Sequence, residues 1–399
     1  MIIQSILDLD LYKLTVGQFI YDNFPAIEAE YLFTVRNYDK VNFSVYVEAI
    51  EFEEEIKSLQ DLSLTGEEAV YLRALGYFTE DYIKFLSNCP LKLSRGEEIA
   101  WASYVNPYSR PKIKGLWCKV MLYETFVLSI ANELYARNWC KYSKVEPAHA
   151  MDCGNQRLLE KIDTLKSYNS RAESRLQLVE FGTRRRLSKR WQEIVVERLN
   201  NSGVLSGTSN VSLAFRKALP VRGTFGHELP MGLQGIFRIQ DSQKKAFEMW
   251  HHYWDGKLGI ALDDTLGEFK FLRDFSKELA VKYDGLRHDS GDPAEWGRKR
   301  IRMYQDYGID PKTKTLFFSD GLNIDTAIHL HNMFEGRVKT GFGIGTNLTN
   351  DTFVPVPQSV MKIVRCNDQP VAKLSNNPEK ASCLDENYLD FLQYVAKVY

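Results

Sequence analysis

No two cysteines of this 399-residue chain are spaced to hold a metal or to work as a redox pair. The six stand at positions 89, 118, 140, 153, 366 and 383, without a C-x-x-C pair or a zinc spacing, and read as buried, reduced thiols. No apolar run approaches the roughly 20 residues of a membrane span. The N-terminus, MIIQSILDLDLYK, has acids where a secretory leader would carry positive charge, so a cytoplasmic protein is expected. Neither sign of charge is in excess: 51 Lys and Arg against 52 Asp and Glu leave −1. That balance argues against a broad nucleic-acid footprint while permitting a local anion site. A P-loop, a G-x-S-x-G elbow and a dinucleotide G-x-G-x-x-G after an early strand are all missing. The lack of a P-loop does not exclude the use of ATP.

The composition that remains is globular, 44% hydrophobic and 26% charged, enough for one large domain and a smaller one. Residues 1–120 mix element types. DLYKLTVGQFIYDNFP predicts a helix stopped before Pro25, AEYLFTVRN a strand, VYVEAIEFEEEIKSLQDL a helix and EEIAWASYV a strand. This stretch is read as an α+β N-terminal domain, with 355–399 a segment able to pack against it. Residues 121–354 are read as the second domain. It opens on a buried helix, VMLYETFVLSIANELYARN.

From about residue 176 apolar strand-like runs end in Gly and polar residues, then give way to amphipathic helices. The runs end near residues 182, 207, 224, 262, 288, 319 and 344. Such units imply an α/β class with parallel strands, either a barrel or an open doubly wound sheet. Uneven spacing would make a barrel irregular. Polar residues gather after the strands, where they would line one mouth. DPAEWGRKRIRMYQDYGI has Asp292 at the cap and Pro293 at the first helical position.

Each motif has a functional and a bland reading. GFGIGT, 341–346, offers backbone amides to a phosphate, or is a tight turn. GLRHDSGDP packs Arg287, His288, Asp289 and Asp292 into one loop. Two carboxylates there could hold Mg²⁺, yet Asp292 serves as a helix cap; Arg287 suits a ligand carboxylate. FGTRRR opens a predicted helix with three cations, so that Arg184 is either a phosphate ligand or part of a solvated run. Asp263, Asp264 and Asp320 could bind ribose or metal, or simply form turns. His227, in VRGTFGHELP, is either a structural hydrogen-bonder or a nucleophile able to accept a phosphoryl group.

Taken in order, ILDLDLYKLT (6–15), EFGTRRR (180–186), GTSN (207–210), GTFGHE (223–228), LRHDSGDP (286–293), FSDGLN (318–323), FGIGTNLT (342–349) and QPVAKLS (369–375) resemble the nicotinate phosphoribosyltransferase family of type II phosphoribosyltransferases. The resemblance spans nearly the whole chain. It implies an irregular, incomplete (β/α) barrel with an α+β N-terminal domain, in a homodimer with its active site near the subunit interface. The reaction it implies joins nicotinate to phosphoribosyl diphosphate, giving nicotinate mononucleotide and diphosphate in NAD salvage. Mg²⁺ is the implied cofactor. ATP is the implied co-substrate, acting through a phosphohistidine that falls on His227. Tyr12, Thr224 and Arg287 match nicotinate-contacting positions. Thr346, beside Gly343 and Gly345, matches a position that binds phosphoribosyl diphosphate. Arg184, Asp289 and Asp320 sit in motifs near the same substrate. No residue is implied as the metal ligand.

Leu9, Asn376 and Glu379 depart from the family's usual residues at peripheral positions. Within the class, a carboxylate at 209 would suit an amide substrate, whereas Ser209 favours an anion. A quinolinate enzyme would need a richer cationic pocket, and a noncatalytic phosphosugar-binding barrel would bind without turnover.

Overall fold

The computed structural model describes residues 1–94, 96–100, 111–223, 225–374, 383 and 385–398. Its antiparallel sheet begins with β1 (Glu28–Val35), β2 (Glu98–Ala100) and β3 (Lys112–Leu116). Its parallel sheet holds β4 (Leu178–Glu180), β5 (Leu205–Thr208), β6 (Ile260–Leu262), β7 (Gly285–His288), β8 (Thr315–Phe318) and β9 (Lys339–Ile344). The chain then returns to the first sheet with β10 (Ser359–Cys366) and β11 (Gln369–Pro370). The orders are β11-β10-β1-β3-β2 and β5-β4-β9-β8-β7-β6.

The six parallel strands stand at six of the seven run ends expected from sequence. The seventh is reduced to a single parallel bridge, Thr208 to Val221. Pairing therefore runs around a cycle from β6 through β9 to β4, β5 and Val221. Among the described residues nothing pairs Val221 with β6, and the barrel stays open there. β4, Leu-Val-Glu, is buried throughout, as a parallel strand covered on both faces must be.

The helix Leu11–Asn23 ends before Pro25 as its sequence predicts. The segment before it is stitched to the parallel sheet through Leu11 N–H to Ser209 O at 2.8 Å and Val211 N–H to Leu9 O at 3.0 Å. The long helix Tyr123–Tyr142 is buried along most of its length, packed against β10, the Thr183–Arg185 turn and the helix Ala49–Lys57. From it Asn132 donates to Ser359 Oγ on β10 at 2.6 Å and to Arg184 O at 3.3 Å.

The triple arginine differs from its expected form. Thr183–Arg185 is one turn of 3₁₀ helix, and the α-helix begins only at Lys189, capped by Ser188. Arg186 turns inward to Asp8 and Arg185 toward β10, so the run is neither solvated nor on one helix face. The remaining predicted residues of EEIAWASYV beyond Ala100 lie outside the described residues. Among the described residues no helix is long and apolar enough to cross a membrane.

Candidate active site

Loops after β4, β7, β8 and β9 converge with the helix Leu11–Asn23 and with β10 around a cavity of about 620 Å³. Tyr12, Arg184, His227 and Arg287 all reach its wall, as do Asp289 and Asp320. Gly343, Gly345 and Thr346 close it at the end of β9. Thr224 lies outside the described residues.

On one side, the Arg184 guanidinium lies over the Tyr12 ring at 5.8 Å, its Nε 3.2 Å from Asp10 and its Nη1 3.5 Å from Glu124. Tyr12 donates its hydroxyl to Glu124 at 3.2 Å. Burial and the Glu124 carboxylate push the Tyr12 phenol well above its ordinary value, so it stays a donor. Arg287 lies over Phe181 at 5.7 Å. Its Nε donates to Ser319 at 2.8 Å and its Nη2 to Asp289 at 3.1 Å. Burial works against ionisation of Asp289, yet Arg287, His227 and Lys373 hold its carboxyl at about 2. Two aromatic faces and two guanidinium groups therefore border the cavity.

Its wall also carries Arg36, Arg185 and Lys362. Burial pushes the Lys362 ammonium down to about 7, with Arg36 and Lys373 adding repulsion. Arg185 is pushed to about 10 by burial and then by Arg184 and Arg36. Gathered cations that repel one another suit a ligand of several negative charges.

The glycines of β9 are there because the wall is tight. A Cβ on Gly343 would stand 2.6 Å from the Phe181 ring, and one on Gly345 2.9 Å from Phe181 O.

His227 precedes the short helix Glu228–Gly232. Its Nε2 is 2.6 Å from Asp264 Oδ1, and its Nδ1 is 3.8 Å from Asp289 Oδ2. Burial, then Lys373, lowers its pKa despite the two carboxylates, so the imidazole is neutral near pH 7. Behind it Lys13 bridges the buried Glu124 and Glu228, and Tyr31 donates to Glu228 at 2.9 Å.

Several expectations change. Asp263 is not a ligand: it accepts from Arg300 Nε at 2.7 Å and Trp296 Nε1 at 2.5 Å, buried under the helix Pro293–Asp306. Asp292 caps that helix, accepting from Glu295 N–H at 2.6 Å. His288 alternates away from Arg287 and packs on Trp296 and Phe318. Ser209 does not line the cavity; its hydroxyl donates to Asp10 at 2.7 Å, so its contrast with a carboxylate loses its force.

Sequence reasoning missed Arg36, Glu124, Lys362 and Lys373 as site residues. An acid inside an apolar helical run, one of two there with Glu133, was the available signal for Glu124. The two lysines reach the site only because β10 returns to β1.

The two halves of the chain each match a known family part. Residues 7–132 match the nicotinate phosphoribosyltransferase (NAPRTase) N-terminal domain, and 176–399 match the nicotinate phosphoribosyltransferase (NAPRTase) family. The nicotinate phosphoribosyltransferase of Chromobacterium violaceum is 40% identical over 411 residues, covering 100% of this chain and 98% of that protein. That of Bordetella pertussis is 41% identical over 403 residues, covering 99% and 95%. The crystal structure of the Vibrio cholerae nicotinate phosphoribosyltransferase superposes with a TM-score of 0.87 at 35% identity, covering 100% of this chain and 94% of that one. The Porphyromonas gingivalis structure does so with a TM-score of 0.87 at 31% identity, covering 100% of both. Matched by both family parts, about 40% identical to curated relatives from end to end and superposing on solved structures over its whole length, the chain belongs to the nicotinate phosphoribosyltransferase family.

Proposed function

We propose that this protein transfers the phosphoribosyl group of phosphoribosyl diphosphate to nicotinate, and that ATP drives the transfer through transient phosphorylation of His227. The observation that carries this reading is one cavity whose wall combines the Tyr12 and Phe181 rings, each under a guanidinium, with the further cations Arg36, Arg185 and Lys362. Nicotinate fits with its ring against Phe181 and Tyr12 and its carboxylate toward Arg287 and Arg184. The diphosphate fits against Arg36, Arg185, Lys362 and the amides around Gly343, Gly345 and Thr346.

Transfer breaks the bond from ribose C1 to the diphosphate oxygen and forms one from C1 to the ring nitrogen. Positive charge grows on the sugar and negative charge on the leaving group, so fixed cations at the diphosphate lower the barrier without covalent help from the protein. Asp289 and Asp320 line the same cavity, suited to the ribose hydroxyls. Mg²⁺ fits a carboxylate of this kind together with phosphate oxygens, with Asp320 the residue that would hold it, and would neutralise departing charge. The proton that His227 Nε2 shares with Asp264 leaves the Nδ1 lone pair to attack the γ-phosphorus of ATP. The N–P bond forms as the β–γ bridging bond breaks, and ADP departs. Formation and hydrolysis of that phosphoramidate bias the cycle toward product. A homodimer with the cavity near its interface belongs to the same reading.

The test is a substrate comparison with Mg²⁺, phosphoribosyl diphosphate and ATP. Nicotinate supports mononucleotide formation and nicotinamide little; equal use of nicotinamide sinks the substrate assignment. His227→Asn loses ATP stimulation while keeping a slow transfer, and full ATP coupling in that variant removes His227 from the mechanism. Light scattering decides the dimer.

A further inference from the structure

Two carboxylates and an imidazole converge at the mouth of the parallel sheet, and the group among them is an ammonium. Lys373 Nζ lies 2.7 Å from Asp264 Oδ2, 2.9 Å from His227 Nε2 and 3.9 Å from Asp289 Oδ2, with its side chain 5% exposed. One donor atom each from His227, Asp264 and Asp289 falls within 4.8 Å of the others, a set that could otherwise take a divalent ion. The segment bearing the lysine is fastened on both sides. Ala372 N–H donates to Gln234 Oε1 at 3.0 Å, and Gln234 Nε2 donates back to Ala372 O at 2.8 Å. Leu374 N–H donates at 2.9 Å to the carbonyl of Thr265, the residue after Asp264.

Hydrogen placement follows from what each group can do. An ammonium only donates and a carboxylate only accepts, while a neutral imidazole nitrogen does one or the other. With Asp264 Oδ1 at 2.6 Å, a lone pair on Nε2 would face a carboxylate oxygen. A proton on Nε2 satisfies Asp264 Oδ1; Nε2 then cannot also accept from the ammonium 2.9 Å away, so Lys373 directs its hydrogen to Oδ2, which the Ser290 hydroxyl shares. Nδ1 then keeps its lone pair.

We infer that Lys373 is the resident cation of the His227–Asp264–Asp289 cluster: it occupies the place a divalent ion would take, fixes Asp264 as acceptor of the Nε2 proton, and so reserves the Nδ1 lone pair of His227 for reaction. As a positioning residue in phosphoryl transfer, Lys373 rests on the phosphoacceptor reading above. Its place as the cluster's cation does not.

The experiment compares wild type, Lys373→Met and Lys373→Arg, with thermal unfolding confirming that each is folded; Lys373→Gln replaces the Met variant if that one does not fold. With ATP labelled in its γ-phosphate, Lys373→Met takes up label on His227 about a hundredfold more slowly, chiefly in kcat rather than KM, and Lys373→Arg recovers much of the rate. With Co²⁺ as probe, Lys373→Met shows visible bands of a His- and carboxylate-bound ion. Wild type and the Lys373→Met, Asp264→Asn double variant do not. Labelling of Lys373→Met at the wild-type rate overturns the positioning role. A folded Lys373→Met without cobalt bands overturns the resident-cation assignment. A wild type that takes no label defeats the phosphoacceptor reading instead, and the cobalt comparison still decides where the cation belongs.

Discussion

Asp8 and Arg186 meet fork to fork, Oδ1 to Nη1 at 2.8 Å and Oδ2 to Nη2 at 2.9 Å, with side chains 2% and 1% exposed. The pair ties the N-terminal segment to the turn that presents Arg184, and Asn210 donates a further bond to Asp8 at 2.8 Å. Removing one partner leaves the other charge buried alone. Asp8→Ala is therefore expected to cost about 3–5 kcal/mol, read by urea denaturation. Against its burial, Arg186 holds the Asp8 carboxyl at about 2 rather than 3.8. The pair's stability is thus present above pH 3.8 and is lost as pH falls through about 2.

Arg287→Lys separates charge from geometry at the proposed nicotinate position. Lysine keeps the positive charge but has neither the fork nor the planar face that lies over Phe181. Loss of a charge-assisted bond costs about 1.5–3 kcal/mol, so kcat/KM for nicotinate falls roughly 10- to 150-fold. Steady-state kinetics should place the change on nicotinate rather than on phosphoribosyl diphosphate. An unchanged nicotinate KM would move the carboxylate elsewhere in the cavity.

The fold was legible where chemistry is local. Six of the seven run ends became strands, and the Asp292 cap and the Pro25 stop are side-chain and backbone rules that need no tertiary context. Around the cavity, Arg184, His227, Arg287 and Gly343 could be named because each lies at or just beyond the end of a run that reads as a strand. The sequence offered only that 355–399 could pack against the N-terminal domain; it could not show that β10 pairs beside β1, which delivers Lys362 and Lys373 to the cavity from the far end of the chain. For the same reason Asp263 and Asp264, adjacent in sequence, could not be told apart. The first faces Arg300 in the helix layer and the second faces His227.

Gly343→Ala tests how closely the glycine run at the end of β9 and the proposed nicotinate position share a wall. The added Cβ would stand 2.6 Å from Phe181 Cδ2 and 3.0 Å from Phe317 Cε1, so the Phe181 ring must move. Overpacking of this kind costs about 1–3 kcal/mol. The expected result is a lower Tm together with a raised nicotinate KM, because Phe181 supports Arg287. A variant that lost stability with nicotinate binding intact would show that the ring relaxes without disturbing the arginine.

His288 sets an acid limit on stability independent of catalysis. The residue is 1% exposed, packed 5.3 Å from Trp296 and 6.0 Å from Phe318, and neither ring nitrogen has a hydrogen-bond partner among the described residues. Burial depresses its pKa below 6.5, outweighing Asp263 and the other nearby carboxylates. In the window between its folded and unfolded values the unfolded chain binds the extra proton, so stability rises with pH there. The contribution is complete above pH 6.5 and is lost as pH falls from that value through the folded one. His288→Phe keeps an aromatic ring in the same pocket and removes the proton site. Unfolding free energies of wild type and variant, measured between pH 7.5 and 5, should diverge on the acid side with the wild type falling more steeply. His227 also has a lowered pKa, but it is common to both proteins and cancels in the difference. Parallel curves would mean that a buried water or a shift of the helix Pro293–Asp306 lets His288 ionise in place, and would remove it as the acid-sensitive group.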